Sequence, residues 1–454
     1  MTIADSTREA TTSAARTYEL DRRHVFHSWS AQAEIAPMVI TRAEGSYVWD
    51  GEGNRLLDFS SQLVNTNIGH QHPEVVEVIA AQAHRLATVA PQHANDQRSE
   101  AARLVAEHAP GDLDQVFFTN GGADANEHAV RMARLVTGRP KVLSRYRSYH
   151  GGTEQAINLT GDPRRWANDD GRAGTVHFLG PYLYRSAFRA TTEEEECAAA
   201  LAHLEQVIEL EGPQTIAAVL LEAIPGTAGI MVPPPGYLSG VRELCDQHGI
   251  MLIVDEVMTG FGRTGAWFHS ATEGVVPDLL TFAKGVNSGY VPLGGVVLGP
   301  RTGEYFAHRP YPGGLTYSGH PLACAAAVTS MTVMERDGII DHARRIGEDV
   351  LGPGLARLAE RHPSVGEVRG LGVFWAMELV RDRGTREQVA PTGGSSPLMA
   401  EAVATAKSLG LLPFANSHRL HAVPPCTVSE TEAREGLEIL DRVLDRVDEM
   451  VAGV

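Results

Sequence analysis

The sequence predicts an α/β protein, with a large domain built on a mostly parallel sheet flanked by helices and a smaller α+β domain beside it. Three observations carry this expectation. From about residue 115, compact apolar runs at 116–119, 219–223, 250–254 and 279–283 alternate with helical segments, as strands covered on both faces do. After about residue 330 the style changes to a mixture, with strand candidates at 372–379 and 418–423. The composition, 43% hydrophobic and 21% charged over 454 residues, suits a globular chain with a sizeable core.

Taken in order, residues 1–17 are rich in Ser, Thr and Ala, carry Asp5 and Glu9, and read as a disordered lead. Tyr47, Trp49, Leu56 and Phe59 flank the turn Asp50-Gly51-Glu52-Gly53-Asn54, which reads as a hairpin. Pro73 opens a helix whose apolar positions Val76, Ile79, Ala80, Ala83 and Leu86 would share one face. A second helix is expected over 192–210, capped by Thr192 and Glu195 and stopped by Gly212-Pro213. The acidic run Glu193 to Glu196 then becomes a solvated first turn favoured by the helix dipole. The Gly-rich stretch 384–395 reads as a surface loop. A last helix, capped by Ser429 and Glu432, carries the stripe Leu437, Leu440, Leu444, Val447 and Val451.

A net charge of −17 argues against a nucleic-acid partner, which would need a basic surface. The four cysteines, Cys197, Cys245, Cys324 and Cys426, are far apart, so neither a zinc site nor a disulfide framework is suggested, and a cytoplasmic location is expected. No run approaches the roughly eighteen apolar residues that a membrane span needs.

Three segments carry chemistry. Phe117-Phe118-Thr119-Asn120-Gly121-Gly122-Ala123 runs from a strand through two glycines into a helix, where unpaired N–H groups and the helix dipole favour an anion; a simple tight turn has the same look. Gly249-Ile250-Met251-Leu252-Ile253-Val254-Asp255-Glu256 is a buried strand ending in acids. Asp255 at such an end could be a metal ligand, a general base, the partner of a protonated ring nitrogen, or merely a cap for the next turn. Leu279-Leu280-Thr281-Phe282-Ala283-Lys284-Gly285 is a strand ending in a lysine. Burial would hold that amine neutral, as a Schiff-base nucleophile must be; a snorkelling surface lysine is the plainer alternative. Together the three offer a phosphate cradle, a carboxylate for a pyridinium and an amine for an aldehyde, the three handles of pyridoxal 5′-phosphate.

With Gly260-Phe261-Gly262-Arg263-Thr264-Gly265 and Phe282-Ala283-Lys284-Gly285, the chain from about residue 20 onward resembles the class III aminotransferases, fold-type I pyridoxal-phosphate enzymes that include the taurine, 4-aminobutyrate and other ω-amino-acid aminotransferases. The resemblance implies four segments: the lead 1–17, an N-terminal segment 18–75 contributing to the small domain, the large cofactor domain 76–330 and the small C-terminal domain 331–454. It implies that Lys284 and Asp255 are catalytic. Gly121, Gly122 and Ala123 would bind phosphate, although the family usually has Ser-Gly-Ser there, so the hydroxyl contacts are lost. Tyr149 and Val257 would cover the two ring faces, with Glu222 close by. Thr316 would reach the phosphate of a neighbouring subunit, which implies a homodimer. Arg419 lies where the family often binds a substrate carboxylate; Arg147 and Arg145 are further anion candidates, and Trp29 and Leu63-Val64-Asn65 would shape the pocket mouth. The implied reaction moves an amino group from an amine or ω-amino acid to 2-oxoglutarate or pyruvate by a ping-pong route. An aminomutase of the glutamate-semialdehyde type, a decarboxylating aminotransferase and a non-catalytic cofactor-binding protein would keep the same motifs.

Overall fold

The computed structural model describes residues 3–169, 171 and 173–453. Its strands run, in chain order, β1 (Ile40–Glu44), β2 (Tyr47–Asp50), β3 (Arg55–Phe59), β4 (Gln115–Thr119), β5 (Lys141–Arg145), β6 (Thr175–Phe178), β7 (Ile216–Glu222), β8 (Met251–Asp255), β9 (Leu279–Phe282), β10 (Gly294–Leu298), β11 (Val365–Leu371), β12 (Phe374–Asp382), β13 (Glu387–Gln388), β14 (Leu411–Asn416) and β15 (Arg419–Ala422). Strands β4 to β10 form one sheet in the order β4-β10-β9-β8-β7-β5-β6. The pairs β9-β8, β8-β7, β7-β5 and β5-β6 are parallel, and β10 is antiparallel to both its neighbours.

Every residue of β7, β8 and β9 is buried, because both faces of this sheet are covered. One face packs Leu143, Val219 and Leu252 against Leu204, Ile208 and Val241 of the helices Glu193–Glu211 and Tyr237–His248. The other packs Val142, Leu220 and Ile253 against Ala129, Val130 and Ala133 of the helix Gly122–Thr137. Such two-sided cover is why these strands read as continuous apolar runs.

The second sheet joins sequence-distant pieces, in the order β1-β2-β3-β14-β15-β12-β11. The hairpin β2-β3 pairs Tyr47 with Leu57 and Trp49 with Arg55, as the turn residues predict. The final helix, Glu430–Ala452, closes over this sheet; its capping box at Ser429 and Glu432 is present, and Leu437, Leu440, Leu444 and Val447 are buried.

Four expectations are corrected. The lead is not free of structure: Ile3–His24 is a helix, supported by Ala, Arg and Glu content with a pair such as Arg16–Glu19 at 2.9 Å; residues 1 and 2 lie outside the described residues. The helix Pro73–Arg85 buries Val75 and Gln82 rather than the expected face, and Val76 is exposed. Gln82 escapes an apolar count because its amide is satisfied inside, donating to the Leu86 carbonyl. Glu196 is buried, unlike the rest of the acidic run, since it accepts hydrogen bonds from Tyr182 N and Ser186 Oγ. Strands β5, β6 and β10 were not anticipated, because β5 and β6 carry polar residues and β10 opens with two glycines.

Gly436 faces Phe59 of β3, and a Cβ there would strike the Phe59 ring. Alanine gains about 1 kcal/mol of helix preference over glycine, whereas overpacking a rigid ring costs roughly 1–3 kcal/mol. Gly436→Ala is therefore expected to destabilise the protein on balance, read as a lower midpoint in urea denaturation; a higher midpoint would show that the ring has room to move.

Candidate active site

Strand order brings the three chemical segments to one edge. Glu222 ends β7, Asp255 ends β8, and the two are opposite each other in register. Asp255 is also opposite Thr281 of β9, and Lys284 follows just beyond. Because β10 is antiparallel to both β9 and β4, the strand β4 points the same way as β9, and its last residue, Thr119, pairs with Gly294. The Gly121-Gly122 turn therefore opens on the same edge as the lysine and the two carboxylates. Here lies a cavity of about 360 Å³, lined by Gly121, Gly122, Ala123, Tyr149, Glu222, Asp255, Val257 and Lys284 among others.

Asp255 is held by three donors. Its Oδ2 accepts from Asn126 Nδ2 and from His150 Nδ1, both at 2.8 Å, and its Oδ1 from Val257 N at 3.0 Å. With the Asp255 oxygen accepting, the His150 ring carries its proton on Nδ1. Asn126 is itself fixed, its Oδ1 accepting from Thr281 Oγ1 at 2.8 Å and its Nδ2 also donating to the His150 carbonyl. Glu222 bridges two loops, accepting from Tyr149 N at 2.9 Å and Gly226 N at 2.8 Å. Burial pushes its carboxyl above the usual range, and the neighbouring Asp255 adds to this.

The Lys284 amine makes no hydrogen bond or ion pair with the described residues and faces the cavity. Its backbone has φ 45°, a strained value for a residue with a Cβ. Burial lowers its amine from 10.5 to about 8, against the pull of Asp255 and Glu222. At the helix start, a Cβ on Gly122 would lie 2.8 Å from Val257 Cγ1. Glycine is thus what lets the valine pack beside the turn and leaves the first N–H groups of the helix open to an anion. An unpartnered amine, a hydrogen-bonded carboxylate and an open helix start in one cavity fit pyridoxal phosphate by their own chemistry.

Comparison with known proteins agrees. The Aminotransferase class-III family matches over residues 29–444. The chain belongs to the class III aminotransferases. It is 34% identical to the 4-aminobutyrate aminotransferase GabT of Escherichia coli, over 91% of this chain and 94% of that protein. It is 36% identical to the putrescine–pyruvate aminotransferase of Pseudomonas aeruginosa, over 81% and 82%. Among solved structures, the taurine:2-oxoglutarate aminotransferase from Bifidobacterium kashiwanohense, in complex with PLP and glutamate, superposes with a TM-score of 0.93 at 42% identity, over 96% and 98% of the two chains. This aminotransferase therefore has the fold-type I architecture and uses pyridoxal phosphate.

The remaining site candidates of the aminotransferase are placed unevenly. Val64 is buried beside the cavity among Ile224, Met258 and Phe374. Trp29 is exposed and meets Tyr149 edge-on at 6.4 Å. Arg419 lies outside the cavity lining; its Nη1 donates to the Ala228 carbonyl and its Nε to that of Asn416. Arg145 is fully enclosed, with backbone carbonyls of Tyr146 and Pro181 as its partners, and is withdrawn as an anion site. Arg147 sits 5.0 Å over the Tyr182 ring, away from the cavity. Thr316 is exposed and does not line the cavity of its own chain. Sequence reasoning passed over Asn126, His150 and Arg164. Asn126 had a visible signal, a polar residue on the alanine-rich buried face of its helix. Arg164 had none, and its guanidinium lies 3.6 Å from the Tyr149 ring centroid.

The low amine pKa has a stability consequence. A lysine whose folded-state pKa is depressed binds fewer protons folded than unfolded between about 8 and 10.5, so stability rises with pH across that window and the full penalty is present below it. Discounted for the open side of the cavity, the penalty is about 2 kcal/mol. Cofactor-free Lys284→Met is therefore expected to resist urea better than cofactor-free wild type at pH 7, with the gap closing toward pH 10.5. A gap independent of pH would mean that Lys284 is not desolvated.

Proposed function

We propose that the enzyme takes ω-amino acids of the taurine, β-alanine or 4-aminobutyrate type as amino donors and 2-oxoglutarate or pyruvate as acceptor, acting as a cytoplasmic homodimer. The observation that carries the donor class is Arg164. Its Nε and Nη2 are anchored on Asp162, and Nη2 also reaches Thr227 Oγ1 at 2.7 Å, while Nη1 has no partner among the described residues. It lies on the ring of Tyr149, which lines the cavity, and it is near enough to Lys284 to help depress its pKa. Arg164 does not line the cavity and shares its charge with Asp162, but its free Nη1 beyond Tyr149 and the amine at Lys284 together suit a substrate with an amino group at one end and an anion at the other. The taurine and 4-aminobutyrate enzymes among the relatives support the same reading. Arg419, tied to carbonyls, becomes the second candidate.

Bound pyridoxal phosphate supplies the electron sink that takes up the pair left when the substrate carbon loses its proton. The chain's own residues do the rest. Asp255, fixed by its three donors, would keep a proton on the ring nitrogen. The helix start at Gly121, Gly122 and Ala123 would hold the phosphate, and Tyr149 and Val257 would flank the ring. Lys284, with a pKa of about 8, has an appreciable neutral fraction near neutral pH and can accept and return the proton at the substrate carbon. Thr316, exposed on its own chain, is free to serve the phosphate site of a second copy. The four cysteines are unpaired, in keeping with a reducing compartment.

Lys284→Ala is expected to reduce turnover to background and to remove the visible absorbance of the lysine-linked cofactor, and Asp255→Asn to slow turnover by at least ~10²-fold with the cofactor retained. Wild-type rates in either variant would remove that residue from its role. For the donor class, Arg164→Ala is expected to raise the KM for taurine or 4-aminobutyrate by roughly ten- to a hundredfold, the cost of about one charged hydrogen bond, with an uncharged amine little affected. If Arg419→Ala produces this pattern and Arg164→Ala does not, the anion site belongs to Arg419.

A further inference from the structure

Strand β3 leads into the strained segment of the chain that borders the cavity. Ser61, Gln62 and Val64 have φ values of 44°, 60° and 60°, and Gln62 has ψ −96°. Residues with a Cβ avoid this region, a β-branched valine most of all. Left to local preferences, these residues would relax to another shape.

Asp58 stands against that relaxation. Its carboxyl is wholly buried and accepts from five donors. Oδ1 takes Ser60 N at 3.0 Å, Ser60 Oγ at 2.5 Å and Gln62 N at 3.4 Å. Oδ2 takes Gln62 Nε2 and His70 Nε2, both at 2.9 Å. Ser61 Oγ adds a bond to the Val423 carbonyl at 2.6 Å. Held this way, Val64 turns into the apolar cluster beside the cavity, Leu63 is left 68% exposed, and Asn65 reaches the cavity wall, where it packs on Gly289 just beyond Lys284. Asp58 itself does not line the cavity.

We propose that Asp58 is a positioning residue for donor selectivity, whose carboxylate keeps Ser61, Gln62 and Val64 at positive φ and thereby sets which chain lengths the cavity mouth admits. With those bonds weakened, Ser60 and Gln62 lose their shared acceptor and only Ser61, tied to the Val423 carbonyl and to Arg263, keeps a side-chain restraint, so Val64 and Asn65 shift while Lys284, Asp255 and the helix start keep their places. Selectivity changes and the chemistry does not. This rests on the cavity being the donor site, and not on the donor being anionic.

The test is Asp58→Asn in the holoenzyme, read in two ways. Amide hydrogen exchange at residues 60–67 is expected to speed up by about tenfold or more, with and without cofactor, while β7 to β9 stay protected. Across unbranched ω-amino acids of increasing length, and a matching series of alkylamines, the ratio of kcat/KM between short and long donors is expected to shift about tenfold. Adding Gln62→Gly to Asp58→Asn is expected to restore part of the ratio, since glycine accepts positive φ without cost. Ser60→Ala, which deletes a single donor, gives the same pattern in smaller measure and stands in if Asp58→Asn does not accumulate. A uniform drop for every donor, unchanged exchange at 60–67, or no response to Gln62→Gly would each overturn the proposal. Loss of ω-amino acid activity already in the wild type would instead count against the donor class, leaving the alkylamine and exchange readings to decide the role of Asp58.

Discussion

A carboxylate at the buried end of a parallel strand has to be solvated by the protein itself, and the active site is organised around how this is done for Asp255. Its donors come from three places: Asn126 on the helix after β4, His150 beside Tyr149, and the backbone just past β8. Each of these also carries a contact of the cavity. The Asn126 helix begins at the Gly121-Gly122 turn, His150 follows Tyr149, and Val257 packs on Gly122. Satisfying one buried charge thus fixes the phosphate end, one side wall and the other side wall relative to each other.

Glu222 extends the arrangement rather than duplicating it. Its oxygens take backbone N–H groups of the Tyr149 loop and of the loop after β7, so it acts as a strut between loops. Two acids in register at adjacent strand ends would repel if both were charged, and the upward shift of the Glu222 carboxyl, driven by burial, eases that. Lys284 lies beside both, and its amine is lowered to about 8 because desolvation outweighs their attraction.

Part of the backbone strain lies at the same place. Lys284, Ser61, Gln62 and Val64 hold positive φ without glycine, each kept there by packed or hydrogen-bonded neighbours from distant parts of the chain. Arg263 illustrates the same economy: fully buried, it donates to Ser61 Oγ, Asn67 Oδ1 and the carbonyls of Val373 and Pro424. It ties the entry to β12 and the exit from β15 to the loop beside the cavity through neutral acceptors alone.

Local sequence determined a good deal. Apolar runs identified β7, β8 and β9, because burial on both faces leaves no polar alternation to confuse them, and Asp255, Lys284 and the Gly121-Gly122 turn together pointed to the cofactor. Capping residues placed the helices Glu193–Glu211 and Glu430–Ala452, since a cap is a local hydrogen bond. What tertiary structure alone decided was whatever depends on residues distant in sequence. The place of β10 between β4 and β9 aligned the glycine turn with Lys284. The buried partners of Glu196 and Gln82 turned polar residues inward, and the anchoring of Arg419 on the Ala228 carbonyl took it out of the cavity lining while Arg164 came to rest on Tyr149. The physical reason is common to all of these: a side chain's type states what partners it needs, and only the folded chain decides which partners it meets.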